Sequence, residues 1–211
     1  MKRAFDLLLS SVGLVALAPL LALIGVLVFS FDGFPVLFRQ KRIGYAGKPF
    51  LMYKFRTMVQ NAESLGKPLT VGDDPRITRL GRWLRQTKLD ELPQLFNVLM
   101  GEMSLVGPRP EVERYVARYN RDQRRVLDLI PGITDPASIR YQNEGDLLRK
   151  LDNPEQAYIE EILPEKIRIN LDYASKASVL RDCRIIVQTL AALCRGKAAF
   201  VVAGTLTLTV C

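Results

Sequence analysis

One long apolar segment at the N-terminus limits the folds open to this chain. Between Ala4 and Phe31 the only charged residue is Asp6. A helix of this length extends about 40 Å at 1.5 Å per residue, which exceeds the roughly 30 Å hydrocarbon core of a bilayer. The segment is therefore long enough to cross a membrane.

Two features favour a helix that enters and leaves by the same membrane face. Pro19 lies in the middle of the segment, where a proline removes a backbone donor and favours a bend. Both flanks carry the positive charge typical of cytoplasmic segments, at Lys2 and Arg3 and again at Arg39 to Arg42. The sequence therefore predicts a re-entrant membrane helix, broken at Pro19, over residues 1–34. A spanning helix is the alternative; a cleaved signal peptide is disfavoured because no small-residue cleavage site follows.

The composition excludes several classes of enzyme. The 211 residues include no histidine, so the chain has no Ser–His or Cys–His nucleophile pair and no His-ligated zinc. Acid–base work falls to carboxylates, Lys, Tyr, Cys or a metal-bound water. The three cysteines lack CxxC spacing and are typical of reduced thiols. The net charge of +8 indicates an anionic partner, which could be a phosphate compound, nucleic acid or anionic lipid.

The rest of the chain predicts an α+β fold that is mostly helical. Residues 35–196 are expected to form a cytosolic catalytic domain, and residues 197–211 an apolar tail of unknown role. A short β-hairpin is predicted over Pro35–Thr57. Interfacial amphipathic helices are expected around the active site, and the stretch RITRLGRWLRQ, which contains Trp83, predicts one of them. Apolar spacing predicts further helices, interpreted as scaffold, at Glu111–Ile130, Glu155–Leu171 and Val179–Arg195.

The hairpin segment is strongly basic. From Arg39 to Arg56 it contains six basic residues and no acidic one. Period-two alternation places Lys54 and Arg56 on one face. This pattern fits either a solvated hairpin at an anionic membrane surface or part of a phosphate pocket.

Two adjacent carboxylates, Asp90 and Glu91, lie in the segment KLDELPQL at an apparent helix start. We expect Asp90 to be the N-cap, with Pro93 in the first turn. Backbone N–H groups and the helix dipole are then expected to hold the Asp90 carboxylate ionised. Such a pair can share a divalent cation or divide the roles of nucleophile and base. The alternative is helix capping without chemistry.

An arginine between two prolines follows in the segment GPRP. Pro108 and Pro110 restrict the backbone around Arg109, so the loop that presents this residue is stiff and loses little entropy on binding. A guanidinium held in this way suits bidentate capture of a phosphate. An ordinary turn is the alternative.

Three segments together resemble a known family. They are KFRTM at Lys54–Met58, LDELPQLFNVLMGEMSLVGPRP at Leu89–Pro110 and PGIT at Pro131–Thr134. They are similar to the bacterial sugar transferases, which are monotopic phosphoglycosyl transferases. The resemblance implies transfer of a sugar phosphate from a UDP-sugar to a polyprenyl phosphate such as undecaprenyl phosphate, with release of UMP. It also implies Mg²⁺, a catalytic and metal-binding dyad at Asp90 and Glu91, and phosphate binding by Arg109.

The chain departs from the family pattern at two places. The membrane break reads Ala18–Pro19, whereas many members have Ser–Pro. After PGIT, Gln142 occupies the position where many members have an arginine. Arg140 lies two residues earlier and on the same face of an extended chain, so it is the candidate substitute for phosphate binding.

The mechanism implied begins with attack of Asp90 on the β-phosphorus of the UDP-sugar. Mg²⁺, Arg109, Lys54 and Arg56 are suited to neutralise the charge, while Glu91 holds the metal or accepts a proton. The alternatives are direct transfer in a ternary complex, and a membrane-tethered basic module without catalysis. The partners expected are the UDP-sugar, the polyprenyl phosphate and membrane lipid, without nucleic acid; a homodimer is left open. The implied location is the cytoplasmic face of the bacterial inner membrane, with a monotopic topology.

Overall fold

The computed structural model describes residues 1–62 and 74–206. It begins with a 31-residue helix, α1, over Lys2–Asp32. A β-hairpin follows, formed by the antiparallel strands β1 (Leu37–Ile43) and β2 (Pro49–Phe55). The long apolar helix and the short hairpin agree with the predicted α+β fold.

The later elements are short until the C-terminal helices. They are α2 (Arg79–Thr87), α3 (Gln94–Met100), β3 (Ser104–Val106), α4 (Glu113–Val116), β4 (Gly132–Thr134), α5 (Pro136–Arg140), α6 (Glu144–Arg149), α7 (Pro154–Ala157), α8 (Leu163–Ser175) and α9 (Val179–Leu206). β3 and β4 pair in parallel and form a second small sheet. A π-helical turn at Tyr158–Ile162 joins α7 to α8. The predicted helix at Glu155–Leu171 is therefore confirmed.

Both ends of α1 are bonded to the rest of the protein. At its start, Asp6 accepts hydrogen bonds from the Ser104 hydroxyl (2.9 Å) and the Leu105 N–H (3.2 Å). At its end, Asp32 Oδ2 accepts a hydrogen bond from the Thr78 hydroxyl at 3.0 Å. Between them, the helix leaves much of its apolar surface exposed: only about a tenth of its most apolar window is buried. By length and composition, α1 qualifies as a candidate membrane helix.

Pro19 lies inside α1 and does not end it, because the backbone is helical on both sides. The helix therefore continues through Pro19, and at the predicted break it lacks only the one backbone hydrogen bond that a proline cannot donate. A proline at such a position favours a bend because its ring crowds the preceding turn.

The predicted amphipathic helix at Glu111–Ile130 is wrong. The structure has the one-turn α4 and a separate 3₁₀ segment at Gln123–Asp128. Asn120 and Gln123 explain the interruption: the side chain of each accepts a hydrogen bond from the backbone N–H of the other, both at 2.9 Å. Such side-chain bonds compete with the helical ladder.

The last helix, α9, begins at Val179 as predicted and continues to Leu206. Its backbone includes the first part of the predicted apolar tail. Residues 207–211 of that tail lie outside the described residues.

Candidate active site

A cavity of about 1240 Å³ brings the hairpin, the end of α1 and the acidic pair together. Asp90 and Glu91 are the only carboxylates among the described residues that line it. Seven basic residues line it too: Lys41, Arg42, Lys54, Arg56, Arg76, Arg85 and Lys88. The cavity is therefore suited to an anionic ligand that meets two carboxylates.

Asp90 is a buried carboxylate, and its Oδ1 atom has no hydrogen-bond partner. It lies in a 3₁₀ turn at Leu89–Glu91, and α3 begins only at Gln94. The prediction that Asp90 caps a helix and is held ionised by its N–H groups is therefore wrong. Burial, and after it the neighbouring charge of Glu91, raises the pKa of Asp90 above its ordinary value.

Glu91 has the opposite environment. Its Oε1 accepts from Lys54 Nζ at 2.9 Å and from Arg109 Nη2, and its Oε2 accepts from Arg109 Nη1 at 3.1 Å. Burial alone would raise the pKa of Glu91, but the charges of Arg109 and Lys54 hold it well below its ordinary value. Burial lowers the pKa of Lys54 to about 8, against the attraction of Glu91. The two neighbouring carboxyl groups are thus driven apart in pKa, as in sites where two carboxylates have different roles.

Lys54 is held in place through the fully buried amide of Asn97. The Tyr53 N–H donates to Asn97 Oδ1 at 3.0 Å, and Asn97 Nδ2 donates to the Leu51 carbonyl at 2.7 Å. These bonds fasten β2 to α3, so the strand that carries Lys54 is fixed beside the turn that carries Glu91. Sequence reasoning missed Asn97; its only signal is its position six residues after Glu91.

The loop that carries Arg109 is fixed by close backbone packing. A Cβ on Gly107 would lie 2.4 Å from the Ile130 carbonyl oxygen, and one on Gly132 would lie 2.1 Å from Gly107 N. Gly132 N–H donates to the Pro108 carbonyl at 3.0 Å. Larger residues cannot take these positions without backbone movement, so both glycines are needed for the approach.

Strand β1 holds the other side of this loop. Arg42 Nη1 donates to the Pro110 carbonyl at 3.0 Å, and Ile43 N–H donates to the Glu111 carbonyl at 2.9 Å. Glu111 Oε1 in turn accepts from the Tyr158 hydroxyl at 2.5 Å. Arg109 therefore projects from a loop that is held on both flanks.

Arg56 connects the cavity to the C-terminal end of α1. Its Nη2 donates to the Gly33 carbonyl at 2.8 Å and to the Asp32 carbonyl, while its Nε and Nη1 atoms are buried without partners. Of the predicted phosphate-binding residues, Lys54 and Arg56 line the cavity, and Arg109 contacts the dyad through Glu91.

Most of the chain matches one known protein family. Residues 1–196 match the family model for bacterial sugar transferases. The chain belongs to this family.

Three relatives illustrate the range of this sugar transferase family. Undecaprenyl-phosphate glucose phosphotransferase of Komagataeibacter xylinus is 39% identical over 90% of the chain and 35% of its own length. UDP-glucose:undecaprenyl-phosphate glucose-1-phosphate transferase of Escherichia coli (strain K12) is 34% identical over 90% of the chain and 39% of its own length. The exopolysaccharide production protein ExoY of Sinorhizobium fredii is 32% identical over 94% of the chain and 88% of its own length. The chain thus spans only about a third of the first relative.

Arg140 does not lie at the cavity. Asp135 caps α5 by accepting from the Ser138 N–H at 2.9 Å, so the segment is helical and not extended as expected. Arg140 ends this helix and pairs with Glu165 at 2.9 Å, with 64% of its side chain exposed. It is absent from the cavity lining among the described residues, so its prediction as a phosphate ligand is not supported by its position.

Sequence reasoning missed three basic residues that line the cavity, namely Arg76, Arg85 and Lys88, of which Arg76 pairs with Asp74 at 2.5 Å. Within the described part of the chain, no carboxylate forms an ion pair with Arg85 or Lys88. Arg85 is fixed through a hydrogen bond from its Nε to the Thr57 hydroxyl at 2.8 Å. Lys88 has a left-handed backbone (φ 58°), an uncommon conformation for a residue with a side chain, directly before the dyad. The spacing of Arg79, Arg82 and Arg85 was the available signal for Arg85.

The residues of the dyad fit a divalent cation. Mg²⁺ prefers oxygen ligands and is usually held by one or two carboxylates together with substrate phosphates and waters. Asp90 Oδ1 is an oxygen without a partner, whereas both oxygens of Glu91 are bonded to cations. Asp90 is therefore the better placed of the two to accept a metal.

Proposed function

We propose that the chain transfers a sugar 1-phosphate from a UDP-sugar to undecaprenyl phosphate and releases UMP. The product, a polyprenyl diphosphate sugar, would begin the assembly of a surface glycan. The names of the relatives support this proposal, since they include a UDP-glucose donor and an undecaprenyl phosphate acceptor.

One observation carries the proposal: of two adjacent carboxylates, the partly buried Glu91 is bonded to cations, whereas the buried Asp90 has an oxygen without a partner. Glu91 binds two cations, whereas Asp90 Oδ1 has no partner in a cavity lined by basic residues. A buried polar atom without a partner costs free energy unless a ligand completes it. Asp90 is therefore the group available to the substrate.

In the proposed reaction, an Asp90 oxygen attacks the β-phosphorus of the donor. A P–O bond to Asp90 forms, and the bond to the bridging oxygen breaks, so UMP leaves with that oxygen. A phosphate oxygen of undecaprenyl phosphate then attacks the same phosphorus and releases the Asp90 carboxylate. The sugar C1–O bond is never broken, so the anomeric configuration is retained.

The surrounding groups supply positioning and charge, which dominate phosphoryl transfer. Arg56, Arg85 and Lys88 are cations open to the donor's phosphates, whereas Lys54 and Arg109 are already bonded to Glu91. Glu91 keeps Lys54 and Arg109 beside Asp90, and its negative charge offsets part of the positive charge around the cavity. Asp90 would hold Mg²⁺, which when bound would supply positive charge to the diphosphate.

The contacts of α1 support a monotopic topology at the cytoplasmic face of the inner membrane. A helix that crossed the bilayer would have its two ends on opposite sides. Here the Arg3 guanidinium donates to the Val98 carbonyl at 2.6 Å, and Asp32 accepts from Thr78 on the same domain. Both ends are therefore expected on one side, with the exposed apolar surface of α1 in the lipid.

The decisive experiment incubates the protein with UDP-sugars and Mg²⁺ in the absence of acceptor. We expect one equivalent of UMP and a phosphosugar on the peptide that contains Asp90, detected by mass spectrometry. Asp90→Asn should give neither. Asp172→Asn, at an exposed position paired with Lys176, is the matched control and should give both.

Two other results would change the proposal. UMP release that requires undecaprenyl phosphate, with no adduct on Asp90, would indicate direct transfer in a ternary complex. No UMP release with any UDP-sugar and acceptor would indicate a membrane-tethered binding module and contradict the proposed function.

A further inference from the structure

The wall of the cavity changes from basic to apolar where it meets the membrane helix. Phe34, Pro35 and Phe38 line the cavity and follow directly after α1. Phe34 is 73% exposed, and so are large parts of Phe29 and Phe31 in the last turns of α1. The apolar rim, defined as Phe34, Pro35 and Phe38, thus continues the exposed apolar surface of a candidate membrane helix.

Hydrogen bonds fix this rim to the cavity wall. Gln60 Nε2 donates to the Phe34 carbonyl at 2.8 Å, and Arg56 Nη2 donates to the Gly33 carbonyl at 2.8 Å. Gln60 and Arg56 also line the cavity. The end of the membrane helix is therefore held at the mouth of the same cavity that contains the dyad.

The rim also reaches the reacting groups. Phe38 is the cross-strand partner of Lys54 in the hairpin, and such pairs have side chains on one face of the sheet. Lys54 Nζ lies 2.9 Å from Glu91 Oε1. A ligand that lies along Phe38 with its anionic end past Lys54 therefore meets the dyad.

We propose that the apolar rim is the binding site of the acceptor's polyprenyl chain. This inference rests on the proposed function, and it assigns the two substrates to different walls of one cavity. An isoprenoid phosphate has an apolar chain and a charged head, which matches the change from the rim to the basic wall. The UDP-sugar lacks an apolar chain and is left with the basic wall at Arg85 and Lys88.

The test compares two phenylalanines with similar exposure. Phe34→Ala removes a rim side chain, and Phe31→Ala removes one that is 75% exposed on α1 but does not line the cavity. The KM for undecaprenyl phosphate and the KM for the UDP-sugar are measured by UMP release in lipid nanodiscs. Phe34→Leu, which keeps an apolar side chain, is the conservative variant, and geranyl phosphate is the short-chain acceptor.

We expect Phe34→Ala to raise the KM for undecaprenyl phosphate about tenfold, the effect of losing one buried aromatic contact. The KM for the UDP-sugar and the donor-only release of UMP should not change. Phe34→Leu should restore most of the affinity, and the effect of Phe34→Ala should shrink with geranyl phosphate. Phe31→Ala should leave both KM values unchanged.

Three results would overturn the inference. The first is an unchanged KM for undecaprenyl phosphate in an active Phe34→Ala enzyme. The second is a rise in the KM for the UDP-sugar instead. The third is an equal rise in the KM for undecaprenyl phosphate in Phe31→Ala, because that result would indicate membrane anchoring alone. Failure of the proposed function is a separate result: the unsubstituted protein then releases no UMP at all, and the inference fails with it.

Discussion

Buried carboxylates occur in two regions of this molecule, and their partners differ. Where α1 begins, Asp6 accepts from Ser104 and Leu105, and Asp182 accepts from Lys2 at 2.5 Å and from the Tyr173 hydroxyl. Both oxygens of each carboxylate are therefore bonded within the protein. At the cavity, one oxygen of Asp90 has no partner. The difference separates a region that fixes the start of α1 from a region in which a carboxylate oxygen has no partner within the protein.

The largest expected effect is on catalysis, at Asp90. Asp90→Asn should lower UMP release by about a thousandfold or more, because an amide cannot replace a nucleophilic carboxylate. Its melting temperature at pH 7 should not fall. The raised pKa of Asp90 means that its ionised form destabilises the fold as pH rises through that pKa, and asparagine carries no such charge. A lower melting temperature would make Asp90 a structural residue like Asp6.

The converse is expected at the start of α1. Asp6→Ala leaves the buried Ser104 hydroxyl and the Leu105 N–H without their acceptor. The unfolding free energy should fall by about 2 to 4 kcal/mol, from the loss of two hydrogen bonds to a charged group. The measurement is chemical denaturation in detergent, with Asp172→Ala as the exposed control. A folded Asp6→Ala protein that has lost UMP release would contradict the separation of the two regions.

The pH dependence tests the cations around Glu91. The Lys54 amine loses its proton as pH rises through about 8, and its ion pair with Glu91 is then lost. We expect kcat/KM to fall above this pH, by about tenfold for each further unit. Lys54→Arg keeps its charge because an arginine pKa exceeds 12, so the alkaline limb should move to higher pH. An identical limb in both proteins would assign it to another group.

The smallest effect is expected at a residue that supports the Arg109 loop from a distance. Tyr158→Phe removes the hydrogen bond to Glu111 Oε1. We expect the unfolding free energy to fall by about 1 kcal/mol. The KM for the UDP-sugar should rise only a few fold, since Arg42 and Ile43 still hold the loop. Activity lost as completely as in Asp90→Asn would show that Glu111 acts directly in the site.

Local sequence patterns predicted a helix or a strand correctly where the whole pattern lies within that one element. The unbroken apolar run predicted α1, and the alternation around Gly44 and Gly47 predicted the hairpin. The prediction of a helix at Glu111–Ile130 was wrong because the reciprocal hydrogen bonds between Asn120 and Gln123 replace helical hydrogen bonds. The spacing of apolar residues does not reveal such a competition. The expectation of an extended chain around Arg140 was wrong because Asp135 caps a helix there.

The sequence by itself determined the chemistry available to this protein. Without histidine, with Asp90 and Glu91 adjacent and with Arg109 between two prolines, the segments in the chain already indicated a carboxylate and cation mechanism beside a membrane helix. The tertiary structure decided which partners each carboxylate has. Cations from β2 and from the Pro–Arg–Pro loop both reach Glu91 and leave Asp90 without a partner. Charge and burial depend on distances between distant segments, and those distances exist only in the folded chain.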